Sequence, residues 1–408
     1  MNTVIIGGGA SGCIAAVFSA GNGDKVTVLE PNGRIGKKLG ITGKGRCNIT
    51  NSCDFDTLMK NITRNPNFLY SAFSRFGTGE CISFFEGLGV PLKSERGNRV
   101  FPVSDKASDI VNALDRELKR LGVRTVSQRA LSVSTENGGV TGVKASGGFF
   151  PADKVILATG GLSYPATGST GDGYKIAEAL GHTVTPLSPS LVPMETEEDC
   201  SPMAGLTVKN CVLTVTDCEK NKKVFSELGE MSFEEYGIGG AMTLSASAKI
   251  NKIEKGRYKA VVDFKPALDD KKLDLRIQRD ISDYSSANAA EIARKLLPER
   301  LALPVLERAG INPEKKAAEI SKSDRKALAN TLKGFTLTLK AFRPIKEAIV
   351  TDGGISVKEI NPKDMQSKLI KGLYFAGEII DVSGFTGGFN LQIAFATGAA
   401  AGMGQADR

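Results

Sequence analysis

Six residues near the start of the chain, Gly7-Gly8-Gly9-Ala10-Ser11-Gly12, and an acid 18 residues beyond the last of them, Glu30, have the types and spacing to hold a pyrophosphate and a ribose. In a Gly-x-Gly-x-x-Gly turn Gly7 permits a tight reversal, Gly9 lets the backbone approach phosphate oxygens, and Gly12 allows a helix to pack closely on a strand. A carboxylate placed like Glu30 accepts hydrogen bonds from a ribose diol. With 46 glycines in 408 residues such spacings also arise by chance, so the turn takes its meaning from the elements around it.

Those elements are predicted by the apolar pattern. A strand, Val4-Ile5-Ile6, precedes the turn, a helix with apolar residues from Cys13 to Ala20 follows it, and a second strand, Lys25 to Leu29, delivers Glu30. The helix, starting near Ser11, aims unsatisfied N–H groups and the positive end of its dipole at the turn. Further glycine-rich blocks occur at Gly33 to Asn51, Val155 to Gly173 and Thr351 to Gly402. In the last two a strand (Val155-Ile156-Leu157-Ala158; Leu373-Tyr374-Phe375-Ala376) ends in small residues and glycine, as strands of an open parallel sheet do at their ligand edge. One site assembled from distant segments is expected.

The turn alone does not separate NAD from FAD, because both contain the ADP half that it reads. Gly377-Glu378 ends a strand, and Gly387-Gly388-Phe389-Asn390-Leu391-Gln392 opens a small-residue helix running to about Ala401. In flavoproteins such a helix N-terminus faces the pyrimidine edge of the isoalloxazine, where negative charge appears on reduction. The segment Gly168-Ser169-Thr170-Gly171-Asp172-Gly173 has the wrong spacing for a second turn of the first kind, so no dedicated NAD(P)H domain is predicted. NAD(P)H enters the expectation only as a transient co-substrate, with oxygen as the other electron partner.

Between about Pro186 and Pro344 the glycine-rich texture stops. Leu206 to Val215 and Arg257 to Phe264 alternate like half-buried strands, and Lys271 to Lys333 carries charged segments of helical period interrupted at Pro298, Pro304 and Pro313. An inserted domain with a β part and a helical part is expected.

The blocks Ile41-Thr42-Gly43-Lys44-Gly45-Arg46-Cys47-Asn48-Ile49-Thr50-Asn51, Ala158-Thr159-Gly160-Gly161, Tyr164-Pro165-Ala166-Thr167-Gly168, Thr351-Asp352-Gly353-Gly354 and Tyr374-Phe375-Ala376-Gly377-Glu378 resemble those of one bacterial flavoprotein family, and the resemblance covers nearly the whole chain. That family includes aminoacetone oxidase-like and bile-acid-inducible NAD(P)/FAD-dependent oxidoreductases. The resemblance implies an α/β fold, with a two-dinucleotide-type, Rossmann FAD-binding domain (1–186 and 345–408), an inserted β-barrel-like domain (187–267 and 334–344) and a helical subdomain (268–333). It implies non-covalent FAD. Ser11 and Gly12, beside Gly7, Gly9 and Ala10, would meet the pyrophosphate and Glu30 the adenosine ribose. Lys37, Lys38 and the stretch Thr42, Gly43, Gly45, Arg46, Cys47 and Asn48 would run past the phosphates and flavin. Ala130 would meet the adenine, Ala158, Thr159 and Gly160 the neighbouring edge, Gly377 and Glu378 the ribitol or a phosphate-linked water, and Gly388, Asn390 and Leu391 the pyrimidine edge. Two solvated loop lysines are the alternative for Lys37 and Lys38.

The inserted domain departs from the family. Where it shows Phe-Thr-His-x-Gly-Ile-Ser-Gly-Pro, this chain reads Phe233-Glu234-Glu235-Tyr236-Gly237-Ile238-Gly239-Gly240-Ala241, with Glu235 in place of the histidine. A base role for Glu235 stands beside an ordinary surface glutamate. Arg46, Tyr164 and Arg343 are weak candidates for fixing an anionic or carbonyl group, each with a packing or surface role as alternative.

Composition excludes other classes. Seven cysteines are scattered without a Cys-x-x-Cys pair and one histidine, His182, accompanies them, which supports neither a disulfide framework nor a zinc site. Cys47 is expected as a buried small side chain, and His182, without an evident acid nearby, as a structural residue. The net charge of +8 is spread along the chain with no basic block, so a small-molecule substrate is expected ahead of nucleic acid. The N-terminus enters a strand at once and no apolar run reaches the length of a membrane span, so a cytoplasmic location is expected. The leading expectation is an FAD-dependent oxidoreductase acting on a small organic molecule by hydride transfer at flavin N5. An FAD-containing RNA-modifying protein and a non-catalytic flavin sensor are the alternatives.

Overall fold

A computed structural model describes residues 1–250 and 252–404 and divides the chain into two compact units, Met1–Ser190 with the chain from Ile345 onward, and Leu191–Pro344. The first unit opens with strand β1 (Asn2–Ile6), helix α1 (Ala10–Gly21) and strand β2 (Lys25–Leu29). β1 is the middle of a five-stranded parallel sheet, with Lys154–Leu157 and then Leu373–Phe375 on one side and β2 and then Arg124–Val126 on the other. Val4, Ile5, Ile6, Val28, Leu29, Val155, Ile156 and Leu157 are all buried. Burial on both faces is why these strands read as unbroken apolar runs rather than alternating ones. Ile6 is in register with both Leu29 and Leu157, so three strands end level beside the turn at Gly7.

The C-terminal helix, Phe389–Met403, lies against α1 through glycine. A Cβ on Gly398 would stand 2.4 Å from the Ser11 carbonyl oxygen, and one on Gly402 2.6 Å from that of Ala15. The far end of this helix is held by donors: Gly402 O accepts from Ser19 Oγ (3.3 Å) and Lys154 Nζ (3.0 Å), and Met403 O from Asn22 Nδ2 (3.1 Å). These bonds satisfy carbonyls that a helix terminus leaves open, and they put a cation where the dipole favours one. Lys154 is buried with its Nζ 4.8 Å from the Tyr374 ring centre, and burial pushes its ammonium down to about 8.

Smaller sheets surround the main one. Ala130–Glu136, Gly139–Ala145 and Gly148–Pro151 form an antiparallel meander, and Thr50–Asn51, Arg99–Pro102 and Leu92–Glu95 a second three-stranded sheet. Ser188–Ser190 pairs antiparallel with Val350–Asp352 where the chain leaves this unit and re-enters it.

The second unit is a closed antiparallel barrel whose strands run in the order Met194–Thr196, Gly237–Gly239, Lys222–Glu234, Thr207–Asp217, Tyr258–Asp263 and Phe335–Phe342. The alternation along Thr207–Asp217 is broken once: Val208 points inward, Asn210 takes φ +54° at a register shift, and Cys211, Leu213 and Val215 resume the inward row. Helices Gly240–Ser247, Asp270–Asp283, Ala289–Leu296, Glu299–Arg308 and Lys322–Lys333 accompany the barrel. Their starts are written locally: Asp269 caps Lys272 N–H, and Asn288 with Glu291 and Ser321 with Asp324 form reciprocal capping boxes. Pro304 does not interrupt a helix as expected. It sits within Glu299–Arg308, whose Leu301, Ala302, Val305 and Leu306 are buried, so packing outweighs the lost hydrogen bond.

His182 also differs from expectation, because a distant acid does reach it. Ser367 Oγ accepts from the N–H groups of Leu369 (3.0 Å) and Ile370 (2.9 Å), so its own proton goes to His182 Nε2, 3.0 Å away. The ring proton is then on Nδ1, 3.3 Å from Glu359 Oε2 without good alignment. This serine–histidine–glutamate chain has the order of a hydrolytic relay. However, the imidazole is fully buried against Phe375 and the serine's lone pairs are taken, so it locks the 359–370 loop to the sheet.

Candidate functional site

The Gly7–Gly12 turn sits where its spacing predicts, between β1 and α1. Gly7 has φ +104° and donates to Leu29 O (2.9 Å), and a Cβ on it would stand 2.6 Å from Ala158 O. A Cβ on Gly12 would stand 1.9 Å from Gly7 O. Gly9 is different, since beyond its own chain neighbours no protein atom lies within 4 Å of where its Cβ would be. It caps α1 with no side-chain bond, so the N–H groups of Ala10 and Ser11 open the helix beside that space. Ser11 Oγ donates to Ala376 O (3.2 Å), which ties this helix start to the end of the Leu373–Phe375 strand.

Glu30 is more deeply engaged than the pattern shows. It is buried, its Oε2 accepts from Gly8 N–H (2.9 Å), and its Oε1 accepts from the backbone and side chain of Asn32 (2.9 and 2.8 Å). Asn32 Nδ2 also donates to Thr167 O (2.9 Å), and Lys37 Nζ to Asn32 Oδ1 (3.3 Å). Asn32 therefore links the acid, the lysine loop and the Tyr164–Gly168 block, and its place two residues after Glu30 was the available signal.

Lys38 and Glu378, 340 residues apart, meet in an ion pair of 2.7 Å. Lys38 Nζ also bonds Ser163 Oγ (2.7 Å), and Glu378 Oε1 accepts from Ser163 Oγ (2.8 Å) and Thr351 N–H (2.8 Å). Burial raises the Glu378 carboxyl, but Lys38, Thr351 and Ser163 outweigh that and hold it below the usual carboxylate range. Thr351 Oγ1 accepts from Leu162 N–H (2.8 Å) and Ser163 N–H (3.2 Å). Ser163 and Thr351 were not among the expected site residues, although both lie in or beside the quoted motifs.

The Thr42–Asn48 stretch is a run of left-handed residues, Gly43 (φ +57°), Lys44 (+59°), Gly45 (+83°) and Cys47 (+58°), closed by Cys47 N–H to Thr42 O (3.0 Å). Cys47 is fully buried and burial pushes its thiol up to about 12, which leaves it inert. Arg46 turns to the small sheet, where it bonds Glu95 and Asp105 and stacks 4.2 Å over Phe101. Those partners account for its charge. Gly388 takes φ +101°, and a Cβ there would stand 2.4 Å from the Thr50 carbonyl. Asn390 exchanges bonds with Gly384 (2.9 and 2.8 Å) and donates to Phe385 O (3.1 Å), while the neighbouring Leu391 is half-buried. Gln392, not expected from the sequence, meets Thr50 Oγ1 at 2.6 Å.

Ala158 N–H pairs with Ile6 O, Gly160 has φ +73°, and Ala130 is buried at the start of the meander. Tyr164 is exposed with φ +53°. Glu235 and Arg343 belong to the second unit: Glu235 is exposed, and Arg343 Nη1 donates to Glu195 Oε1 (2.9 Å) while stacking 4.3 Å over the Tyr236 ring.

Two buried polar atoms within these blocks, Asn48 Oδ1 and Thr159 Oγ1, have no hydrogen-bond partner. Buried polar atoms without partners are uncommon, and a bound group is one way in which they are satisfied. Together with the uncapped start of α1 and the open space at Gly9, they fit a dinucleotide laid along the C-terminal edge of the sheet. Among the described residues no group of three or more His, Cys, Asp or Glu could hold a metal ion, and no helix is long and apolar enough to cross a membrane.

The family described as "HI0933-like protein Rossmann domain" matches residues 1–404. The 3-dehydro-bile acid delta(4,6)-reductase of Clostridium scindens is 35% identical over 100% of both chains, and the ribosomal RNA dihydrouridine synthase of Escherichia coli is 28% identical over 97% of this chain and 96% of its own. Among solved structures, 3-ketosteroid delta1-dehydrogenase from Sterolibacterium denitrificans superposes with a TM-score of 0.53 at 14% identity, covering 98% of each chain. A flavocytochrome c3 fumarate reductase does so at 0.52 and 17%, covering 98% of this chain and 77% of that one. At these identities the likeness is one of fold.

Proposed function

We propose that this chain, which belongs to the HI0933-like Rossmann-domain family, is an FAD-dependent oxidoreductase that reduces a carbon–carbon double bond conjugated to a carbonyl group in a small organic molecule. The observation that carries the cofactor reading is the start of α1, which no side chain caps, opening beside the empty space at Gly9 where β1 ends. The reaction class rests on the names of the full-length relatives. Both a delta(4,6)-reductase of a 3-dehydro-bile acid and a dihydrouridine synthase saturate such a bond.

FAD, when bound, supplies hydride transfer at its N5. The chain's own part is to bind and orient it. The N–H groups at the start of α1 would hold the pyrophosphate, Glu30 would meet the adenosine ribose, and the start of the Phe389–Met403 helix would offer backbone donors to the pyrimidine edge. Those donors favour negative charge there and so favour the reduced cofactor.

The test is spectroscopic. The purified protein is expected to carry, or take up, FAD with a yellow spectrum; a colourless protein that ignores added FAD would overturn the cofactor reading. Under anaerobic conditions NADH or NADPH is expected to bleach the flavin, and a 3-oxo-4,6-diene steroid to restore it. A second reading, favoured by the full-length similarity to the dihydrouridine synthase, places the double bond in a uridine of ribosomal RNA. There the reduced protein would add two hydrogens to the RNA, read by mass spectrometry of its nucleosides. Reduced flavin that neither substrate reoxidises would end the proposed reaction class.

A further inference from the structure

Lys38 and Glu378 reach the ligand edge from opposite ends of the chain. Lys38 lies in the segment after β2, Ser163 in the segment after the Lys154–Leu157 strand, and Glu378 one residue after the Gly377 turn that ends the Leu373–Phe375 strand. Gly377 is pressed against the start of α1, since a Cβ on it would stand 2.4 Å from Ser11 Oγ. All three therefore stand at the C-terminal ends of parallel strands, where such sheets bind ligands. The two charged side chains are 23% and 18% exposed. Two of the three ammonium donors of Lys38 are spent, on Glu378 Oε2 and Ser163 Oγ, and both carboxylate oxygens of Glu378 are engaged.

A charge-balanced pair of this kind contributes little net field while intact and a strong one when halved, because neither charge is fully screened by water. We propose that Lys38 is a positioning residue that acts through Glu378, neutralising its carboxylate at the ligand edge of the sheet, and that the balance of this pair sets the reduction potential of the flavin bound along that edge. This rests on the FAD reading above.

The signs follow from charge alone. Reduction puts negative charge on the flavin. A carboxylate left without its lysine opposes that, and a lysine left without its carboxylate assists it. The experiment is measurement of the flavin midpoint potential by dye-coupled anaerobic titration of the holoprotein at alkaline pH, where the unpaired carboxylate is ionised. Lys38→Met is expected to lower the potential, Glu378→Gln to raise it, and the double variant to return it toward the wild-type value. Lys38→Arg, which keeps the charge, is expected to leave it unchanged. A merely structural pair would not give shifts of opposite sign. If Lys38→Met does not fold, the rise in Glu378→Gln against the constancy of Lys38→Arg decides alone.

Potentials that stay put, or that move the same way in both single variants, would overturn this inference and leave the FAD reading intact. A wild-type protein that binds no FAD would overturn both.

Discussion

Replacing Gly9 by alanine separates the cofactor cradle from the fold that carries it. Gly9 has φ −79° and ψ −166°, a conformation open to alanine, and beyond its chain neighbours the added methyl would meet no protein atom within 4 Å. The stability of the apoprotein is therefore expected to change by no more than about 0.5 kcal/mol. The space the methyl enters is the one assigned to the pyrophosphate. Overpacking a close contact by one methyl costs about 1–3 kcal/mol, so FAD affinity is expected to fall roughly 5- to 150-fold. Gly12→Ala provides the contrast. Its Cβ would stand 1.9 Å from Gly7 O, so α1 and the turn must part by well over 1 Å to reach ordinary contact. Strain of about 1–3 kcal/mol or more is expected there, at roughly 2–4 °C of melting temperature per kcal/mol for a unit of this size. Thermal unfolding of both apoproteins and flavin fluorescence on titration with FAD measure the two effects. Wild-type FAD affinity in Gly9→Ala would refute the cradle. An apoprotein melting as early as Gly12→Ala would refute the argument from open space.

Gly388→Ala is expected to lower both melting temperature and FAD affinity, because the residue needs φ +101° and its Cβ would meet the Thr50 carbonyl at 2.4 Å; an unchanged melting curve would count against it. For Lys154, held down to about 8 by burial against 10.5 when exposed, the unfolded chain binds more protons between those values, so wild-type stability is expected to rise with pH across that window. In Lys154→Met, denaturant unfolding should show that rise flattened. Burial also lowers the His182 imidazole, against the pull of Glu359, so stability is expected to be full above its ordinary value of 6.5 and to fall as pH drops below it. A His182→Gln protein that keeps the full acid slope would show that another group carries it.

The turn, β1, α1, β2 and the glycine-ended strands were legible because each has a short-range signature, namely an apolar run followed by residues that only a tight backbone path requires. The barrel strands Thr207–Asp217 and Tyr258–Asp263 were legible from alternation, although the bulge at Asn210 hides the phase of the first. What sequence could not give is pairing across long separations. Lys38 and Glu378 each read as a cofactor contact, whereas the structure bonds them to one another. His182 read as lacking an acid because Glu359 is brought to it only by the return of the C-terminal segment. Pro304 read as a break because its local cost is plain in the sequence, while the packing that offsets it is not.

The pairing of Ser188–Ser190 with Val350–Asp352 means that removing Leu191–Pro344 leaves one end on a strand, at Ser190, and the other at Ile345, a short turn before the partner strand, with Ser190 in register with Val350. A short loop could bridge them at small entropic cost. The first unit is therefore closed on itself, and whatever is carried between those strands can be exchanged, lengthened or redesigned as a cassette.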